Sequence, residues 1–257
     1  MEWFCKESFE MKGLILAAGY ATRLYPLTKE FPKALLNVGE KTILDWLIDD
    51  LAATTKLTEF IVVTNHKFAV QFIDWKQKKE AYGNCTVSVI DDGTETNETR
   101  LGAVKDIWLA VQKENLQDDV LVMAGDNVLD FSLSGFVQFA ETQQTSCVMC
   151  HEETRLKKQQ KTAIITVDGN GLITSYEEKP KEPKGNLAVP PFYWYRKQDI
   201  WRIPEALEAG CRYDSPGSFA AWLSHKTQMY AYRMPGKRYD VGDYESYQKV
   251  QQIFAGK

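Results

Sequence analysis

The sequence predicts an α/β fold of three layers, in which helices cover both faces of a mixed, mainly parallel sheet. Two observations predict it. Strand-like and helical patterns alternate through the first half of the 257 residues, and a strand–helix–strand beat implies parallel pairing through right-handed crossovers. Loops bearing glycine follow the first and fourth strand signals, and on such sheets ligands lie beyond the carboxyl ends of the strands.

Short apolar runs place strands at residues 14–17, 60–64, 86–90 and 120–124. Helical patterns fill the gaps at 42–53, 67–78 and 99–112; in the first of these, Ile43, Leu44, Leu47 and Leu51 recur at the spacing of one helical face. The second half changes character. "AIITVDGNGLITSYEEKP" reads as two strands joined by a Gly-Asn-Gly hairpin. "NLAVPPFYWY" reads as one more strand, its prolines marking a sheet edge or a bend. Short helices follow near 218–224 and 244–253. The polar loop "DDGTETNETR" has the composition of a rim around a site. Residues 1–10 read as an extension, since Met11 opens the first strand-like run and would serve as a start.

Apolar residues make up 44% and charged residues 26% of the chain, an ordinary globular balance. No run approaches the roughly 18 apolar residues of a membrane span, and "MEWFCKESFE" lacks the basic start and apolar centre of a secretory signal. The expectation is therefore a cytoplasmic protein without a membrane partner. A net charge of −4 offers no basic field for a nucleic-acid polymer, yet a few local cations suffice to hold a small anion in a cleft. Five scattered cysteines, an odd number, fit reduced thiols. Cys147 and Cys150 form a CxxC followed by His151, but "TSCVMCHE" reads as a strand, where positions i and i+3 point to opposite faces. Buried core cysteines are expected there rather than a zinc or redox pair.

The loop after the first strand, "LAAGYATRLYPLTKEFPK" from Leu16 to Lys33, carries the densest chemistry. Ala17, Ala18 and Gly19 allow a tight turn and close approach to a ligand, and successive free N–H groups in such a turn form an anion nest. Arg23 can fork two donors onto phosphate oxygens, and Lys33, fixed by Pro32, adds a compact charge. Neither GxxxxGK[ST] nor GxGxxG occurs. On spacing alone, an ordinary βα turn with solvated Arg and Lys is the favoured reading.

The stretch closely resembles the signature of the sugar-1-phosphate nucleotidyltransferases, which make nucleotide sugars: LAAG-x-G-T-R-(L/M)-x-P-L-T, then P-K. Ala21 stands where the pattern has its second Gly, and Ala does not freely take positive φ. "AGDNV", "SYEEKP" and "RYDVGDYESY" resemble three further motifs of the family in the family's order, and "TRLGA" resembles its base-contacting turn. The resemblance spans nearly the whole chain, and glucose-1-phosphate thymidylyltransferase is the member it is most like. It implies a Rossmann-like (GT-A-like) fold in one domain from residue 11 to 257, with a nucleotide half over 11–130 and an acceptor half over 131–257.

It also implies roles. Leu16, Ala17, Ala18, Gly19, Tyr20 and Gly102 would contact the nucleotide, and Arg23, Lys33 and Asp126 would be catalytic. Asp126 and Asp240 would hold Mg²⁺. Asn127, Glu178, Lys179 and Tyr193 would face the acceptor, Glu178 on sugar hydroxyls and Lys179 on the sugar phosphate. The implied reaction moves NMP from a nucleoside triphosphate, dTTP or UTP in the first place, to a sugar 1-phosphate. Two observations bear on the acceptor. Thr162 and Ala163 stand where many members have a sugar-contacting Gly. The aromatic run from Pro191 to Tyr195 raises the alternative of a cytidylyltransferase caging the cationic head of phosphocholine. A catalytically silent binding domain on the same fold is the third reading. A homo-oligomer is compatible with all three.

Overall fold

The computed structural model of the chain describes residues 11–82 and 85–256; the expected extension over residues 1–10 lies outside them. Strands are numbered in chain order as β1 (Met11–Leu16), β2 (Asn37–Val38), β3 (Lys41–Thr42), β4 (Glu59–Thr64), β5 (Thr86–Asp91), β6 (Asp119–Ala124) and β7 (Asn127–Leu129). The later strands are β8 (Cys147–Glu152), β9 (Ala163–Val167), β10 (Ile173–Glu178), β11 (Leu187–Val189), β12 (Phe192–Tyr195), β13 (Tyr230–Arg233) and β14 (Arg238–Asp240). The helices are α1 (Ile43–Thr54), α2 (Ala69–Tyr82), α3 (Ala103–Lys113), α4 (Ser134–Gln143), α5 (Leu156–Gln159), α6 (Lys197–Ile200), α7 (Ile203–Glu208), α8 (Gly217–Leu223) and α9 (Tyr244–Ile253).

A central sheet runs in the order β10-β9-β11-β8-β12-β6-β1-β4-β5, with β13 added on β8. Pairing is parallel among β6, β1, β4 and β5 and antiparallel from β12 through β10. The period-2 pleat sends Leu14 to one apolar core and Ile15 to the other. The first core lies under α3, α7 and α8, and the second under α1, α2 and α4, which makes the three layers.

α1 begins where Thr42 caps the Asp45 N–H and Asp45 reaches back to the Thr42 N–H, a reciprocal capping box. α3 starts at Ala103 rather than near 99, because residues 96–99 close their own turn and Gly102 sits at φ 94. The two prolines after Val189 divide the expected single strand into β11 and β12. The result is a bend, and β12 is interior, between β6 and β8. An edge strand of period 2 would bury only half of its residues. All four are buried instead, because both faces of this central strand are covered.

Cys147 packs into the core under α1, α2 and α4, and Cys150 into the opposite one. Burial pushes the Cys147 thiol up to about 12 and the Cys150 thiol to about 11. Both are therefore protonated, unreactive packing residues at neutral pH. Among the described residues, no helix is long and apolar enough to cross a membrane.

Candidate active site

β1 ends at Leu16, whose carbonyl accepts from the Gly125 N–H at 2.9 Å, while Ala17 donates to Val63 O at 2.8 Å. The loop is thereby pinned to the carboxyl ends of β4 and β6. Asn65 donates to the Ala18 carbonyl at 2.9 Å. The Tyr20 side chain turns inward: it is buried, its ring leans on Phe68, and its hydroxyl pairs with Thr94. Any contact of residue 20 with a ligand is therefore a backbone contact. Ala21, at the departure from the family pattern, adopts the left-handed conformation at φ 47 and ψ 41. Thr28, fully buried, donates its hydroxyl to the Ala21 carbonyl at 2.8 Å, and Leu24 N–H donates to the same oxygen at 2.9 Å. Those two bonds hold a conformation that costs an L-residue about 1 kcal/mol or more. Among the described residues, none accepts from the N–H groups of Gly19, Tyr20, Ala21 or Thr22. A Cβ at Gly19 would meet nothing within 4 Å. A run of unpaired donors on an open face is an anion nest.

A third, small core assembles the remaining charges. Leu24, Val128 and Val241 are fully buried in it together with Val250 and Phe254 of the α9 region. Each is the chain neighbour of a charged or polar residue: Arg23, Asn127 and Asp240 respectively. Packing the three apolar residues together turns Arg23 and Asp240 onto one wall, whereas Asn127, expected to face the acceptor, is fully buried behind it with its amide on Asp126 and the Ala124 carbonyl. The β14–β7 ladder sets the register, with Asp240 opposite Asn127 and the Val241 N–H on the Asp126 carbonyl at 3.0 Å. A Cβ built on Gly242 would lie 3.7 Å from Arg23 Nη2 and 3.8 Å from Asp240 Oδ2. The guanidinium and the carboxylate therefore flank the same glycine.

Lys33 Nζ sits 2.7 Å from Asp126 Oδ2, and Asn127 Nδ2 donates to Asp126 Oδ1 at 2.7 Å. Burial pushes the Asp126 carboxyl up, but Lys33, by charge and hydrogen bond, and Arg238 outweigh it and hold the group below the usual Asp range. Enclosure in the cleft and the Asp126 charge push Asp240 up. A carboxylate held ionised beside a second one that its charge raises makes a place for a cation.

From this wall a cleft of about 1060 Å³ runs to the hairpin of β9 and β10. Its lining includes Arg23, Asp126, Glu178, Lys179, Tyr193 and Asp240. Glu178 accepts from the Ser215 hydroxyl at 2.7 Å through Oε1, and its Oε2 is buried with no hydrogen-bond partner among the described residues. Lys179 is in the left-handed region at φ 51, its N–H on the Thr162 carbonyl. Its ammonium lies 3.8 Å from Glu178 Oε1. Thr162 and Ala163 line the same cleft. Gly102 lies apart from this wall, at the N-terminus of α3, with Tyr213 packed against it. The Tyr193 and Tyr195 rings stack on each other at 5.9 Å and 9°. Phe219 covers Tyr195 at 5.1 Å, so the pair does not present open faces as a cage would.

A family model described as nucleotidyl transferase matches residues 12–256. The chain belongs to that family. A protein of Sulfolobus acidocaldarius, described provisionally as a mannose-1-phosphate guanyltransferase, is 30% identical over 75% of this chain and 50% of its own length. The UTP–glucose-1-phosphate uridylyltransferase AglF of Haloferax volcanii is 24% identical over 94% of this chain and 96% of its own. The chain thus spans about half of the first relative and nearly all of the second. The solved structure of a protein from Bacillus anthracis, described provisionally as a glucose-1-phosphate thymidylyltransferase, superposes with a TM-score of 0.81. It is 22% identical, with 96% of each chain covered. That likeness bears out the Rossmann-like fold.

Two features of the site escaped sequence reasoning. Arg238 donates to Asn127 Oδ1 and lowers both carboxylates. It sits two residues before Asp240 on one strand, so the period-2 rule could have found it. Ser215 and Gly217, which touch Glu178, are marked by no motif or periodicity.

Proposed function

We propose that the chain transfers a nucleotidyl group from a nucleoside triphosphate to a sugar 1-phosphate. An oxygen of the acceptor phosphate attacks the α-phosphorus, the bond to the bridging oxygen breaks, and pyrophosphate leaves. The observation that carries this reading is the convergence of Arg23, Lys33, Asp126 and Asp240 on one wall, with Glu178 and Lys179 farther along the same cleft. Both reactants are anions, so the protein's work is charge stabilisation and alignment. The donors of the Gly19 loop and Arg23 face the triphosphate tail. Lys33 keeps Asp126 ionised and has further donors for a phosphate oxygen. Glu178 receives a hydroxyl of the acceptor, and Lys179 its phosphate. The nucleophile is already ionised near neutral pH, so no general base is required.

The two carboxylates fit Mg²⁺. Among the described residues, no group of three or more His, Cys, Asp or Glu gathers as a metal site. An ion held by Asp126 and Asp240 would therefore complete its shell with phosphate oxygens and water, the usual Mg²⁺ arrangement. When bound, it supplies charge neutralisation at the reacting phosphates.

dTTP or UTP is the proposed donor, since the relatives that match nearly end to end on both chains are named for uridylyl and thymidylyl transfer, whereas the guanyl relatives match over 47–61% of their own length. A pyrophosphate-release screen tests all of this, crossing CTP, GTP, UTP, ATP and dTTP with glucose 1-phosphate, mannose 1-phosphate and phosphocholine in the presence of Mg²⁺. Release from UTP or dTTP with a sugar 1-phosphate supports the proposal, and release with a sugar 1-phosphate only from CTP, GTP or ATP overturns the proposed donor. Release only with CTP and phosphocholine, or none from folded protein, overturns the whole proposal.

A further inference from the structure

Residues 213–217 join the Gly102 turn to Glu178 in the cleft, through close contacts at both ends. At one end, Tyr213 is clamped to the Gly102 turn. A Cβ on Gly102 would lie 2.7 Å from Tyr213 Cδ2 and 2.8 Å from its carbonyl oxygen. That oxygen accepts from the Val104 N–H at 3.0 Å, and Lys105 Nζ lies 3.9 Å from the centre of the Tyr213 ring. Arg100 pairs with Asp214 at 3.4 Å. At the other end, Ser215 donates to Glu178 Oε1 at 2.7 Å. Gly217 has no room for a side chain: its Cβ would lie 2.4 Å from Glu178 Oε2 and 3.2 Å from the Tyr193 hydroxyl.

We propose that Ser215 and Gly217 are positioning residues for acceptor recognition, holding the Glu178 carboxylate in one orientation, and that Tyr213 anchors them to the Gly102 turn. The inference rests on the nucleotidyl-transfer reading and adds the element that sets the acceptor carboxylate. The physics follows from the bookkeeping of Glu178 itself. A Glu side chain has three rotatable torsions, and freezing them on substrate binding weakens affinity. Here one oxygen is already fixed by Ser215, and the absent Cβ at Gly217 leaves the space the second oxygen occupies. Oε2, enclosed against Gly217, fixes the plane of the carboxylate, and Oε1, beside Lys179, keeps a second acceptor position for a hydroxyl of the ligand.

The test is steady-state kinetics of the full chain with glucose 1-phosphate as acceptor, together with calorimetric binding of glucose 1-phosphate. Ser215→Ala is expected to raise the acceptor KM about tenfold, the scale of a hydrogen bond to a charged group. The nucleoside triphosphate KM should stay unchanged, and Ser215→Thr, which keeps the hydroxyl, should restore the acceptor KM. Gly217→Ala should act in the same direction and more strongly. Tyr213→Ala, at an exposed site outside the lining of the cleft, should act in the same direction and more weakly, with an effect that is not additive with Ser215→Ala. A wild type that turns over while Ser215→Ala and Gly217→Ala keep its acceptor KM overturns the positioning role and leaves the function standing. A wild type that neither turns over nor binds glucose 1-phosphate overturns both.

Discussion

The ladder of β7 with β14 and the single strand β8 handle pairs of chemically capable residues in opposite ways. On β8, Cys147 and Cys150 are three positions apart, and the pleat sends them to cores on opposite faces of the sheet. On the ladder, Asp126 and Asp240 come from distant parts of the chain, and antiparallel register sets Asp240 opposite the residue after Asp126. Closeness in sequence therefore does not make a site in a strand; register between strands does. The electrostatics follow the same split. Each thiol is raised by burial, without help from the other. Asp240 is raised by enclosure and then by Asp126.

The comparison breaks first at the carboxylates. Asp126→Asn and Asp240→Asn are each expected to lower turnover about a thousandfold, since a metal supplies several kcal/mol of charge stabilisation, and to move the Mg²⁺ titration to higher concentration. Overlaid titration curves for wild type and both variants would remove the shared cation from the account.

Next comes the arginine beside the pair. Arg23→Ala should cost about 3 kcal/mol in kcat/KM, mostly through kcat, the scale of one donor to developing charge. An unchanged turnover number would take Arg23 out of the mechanism.

A third carboxylate sharpens the contrast, with no ion-pair partner among the described residues. Asp106, in the first turn of α3, is buried with Oδ1 unpaired, and burial followed by the Asp92 charge raises it to about 7. A raised folded-state value favours folding fully at low pH, and that contribution is lost as pH rises through about 7. Asp106→Asn removes the loss. It should stabilise the protein at pH 8 by on the order of 2–4 kcal/mol, with the gain fading as pH falls toward the ordinary Asp range. Urea unfolding at several pH values reads this directly, and a pH-independent difference would contradict it.

The smallest effect belongs to β8. Cys147→Ala and Cys150→Ala should each cost about 1 kcal/mol of stability, the scale of a small buried group, and leave kcat unchanged. In the native protein at pH 8, thiol reagents should reach Cys211, which is partly exposed, well before Cys147 and Cys150. Rapid labelling of the buried pair would show that β8 is not packed as described.

Much of this was legible beforehand. The apolar runs located β1, β4, β5 and β6 to within a few residues, because buried parallel strands are written as continuous apolar stretches. The tight turn after β1, with its open backbone donors, was legible in the small residues of the Leu16–Lys33 loop. α4, β7, β13 and β14 were not legible, since short elements with mixed composition carry too few positions for a period to register.

What the chain determines by itself is local: which stretches bury, where turns close, and which loop has small residues beside an Arg and a Lys. Tertiary structure decided the rest, since it depends on pairings between distant segments. Only the third core, through Leu24, Val128 and Val241, brings Arg23, Asp126 and Asp240 to one wall. Only the docking of Tyr213 on Gly102 carries Ser215 to Glu178. Neither contact leaves a period or a motif in sequence, because each is a meeting of surfaces and not a pattern along one.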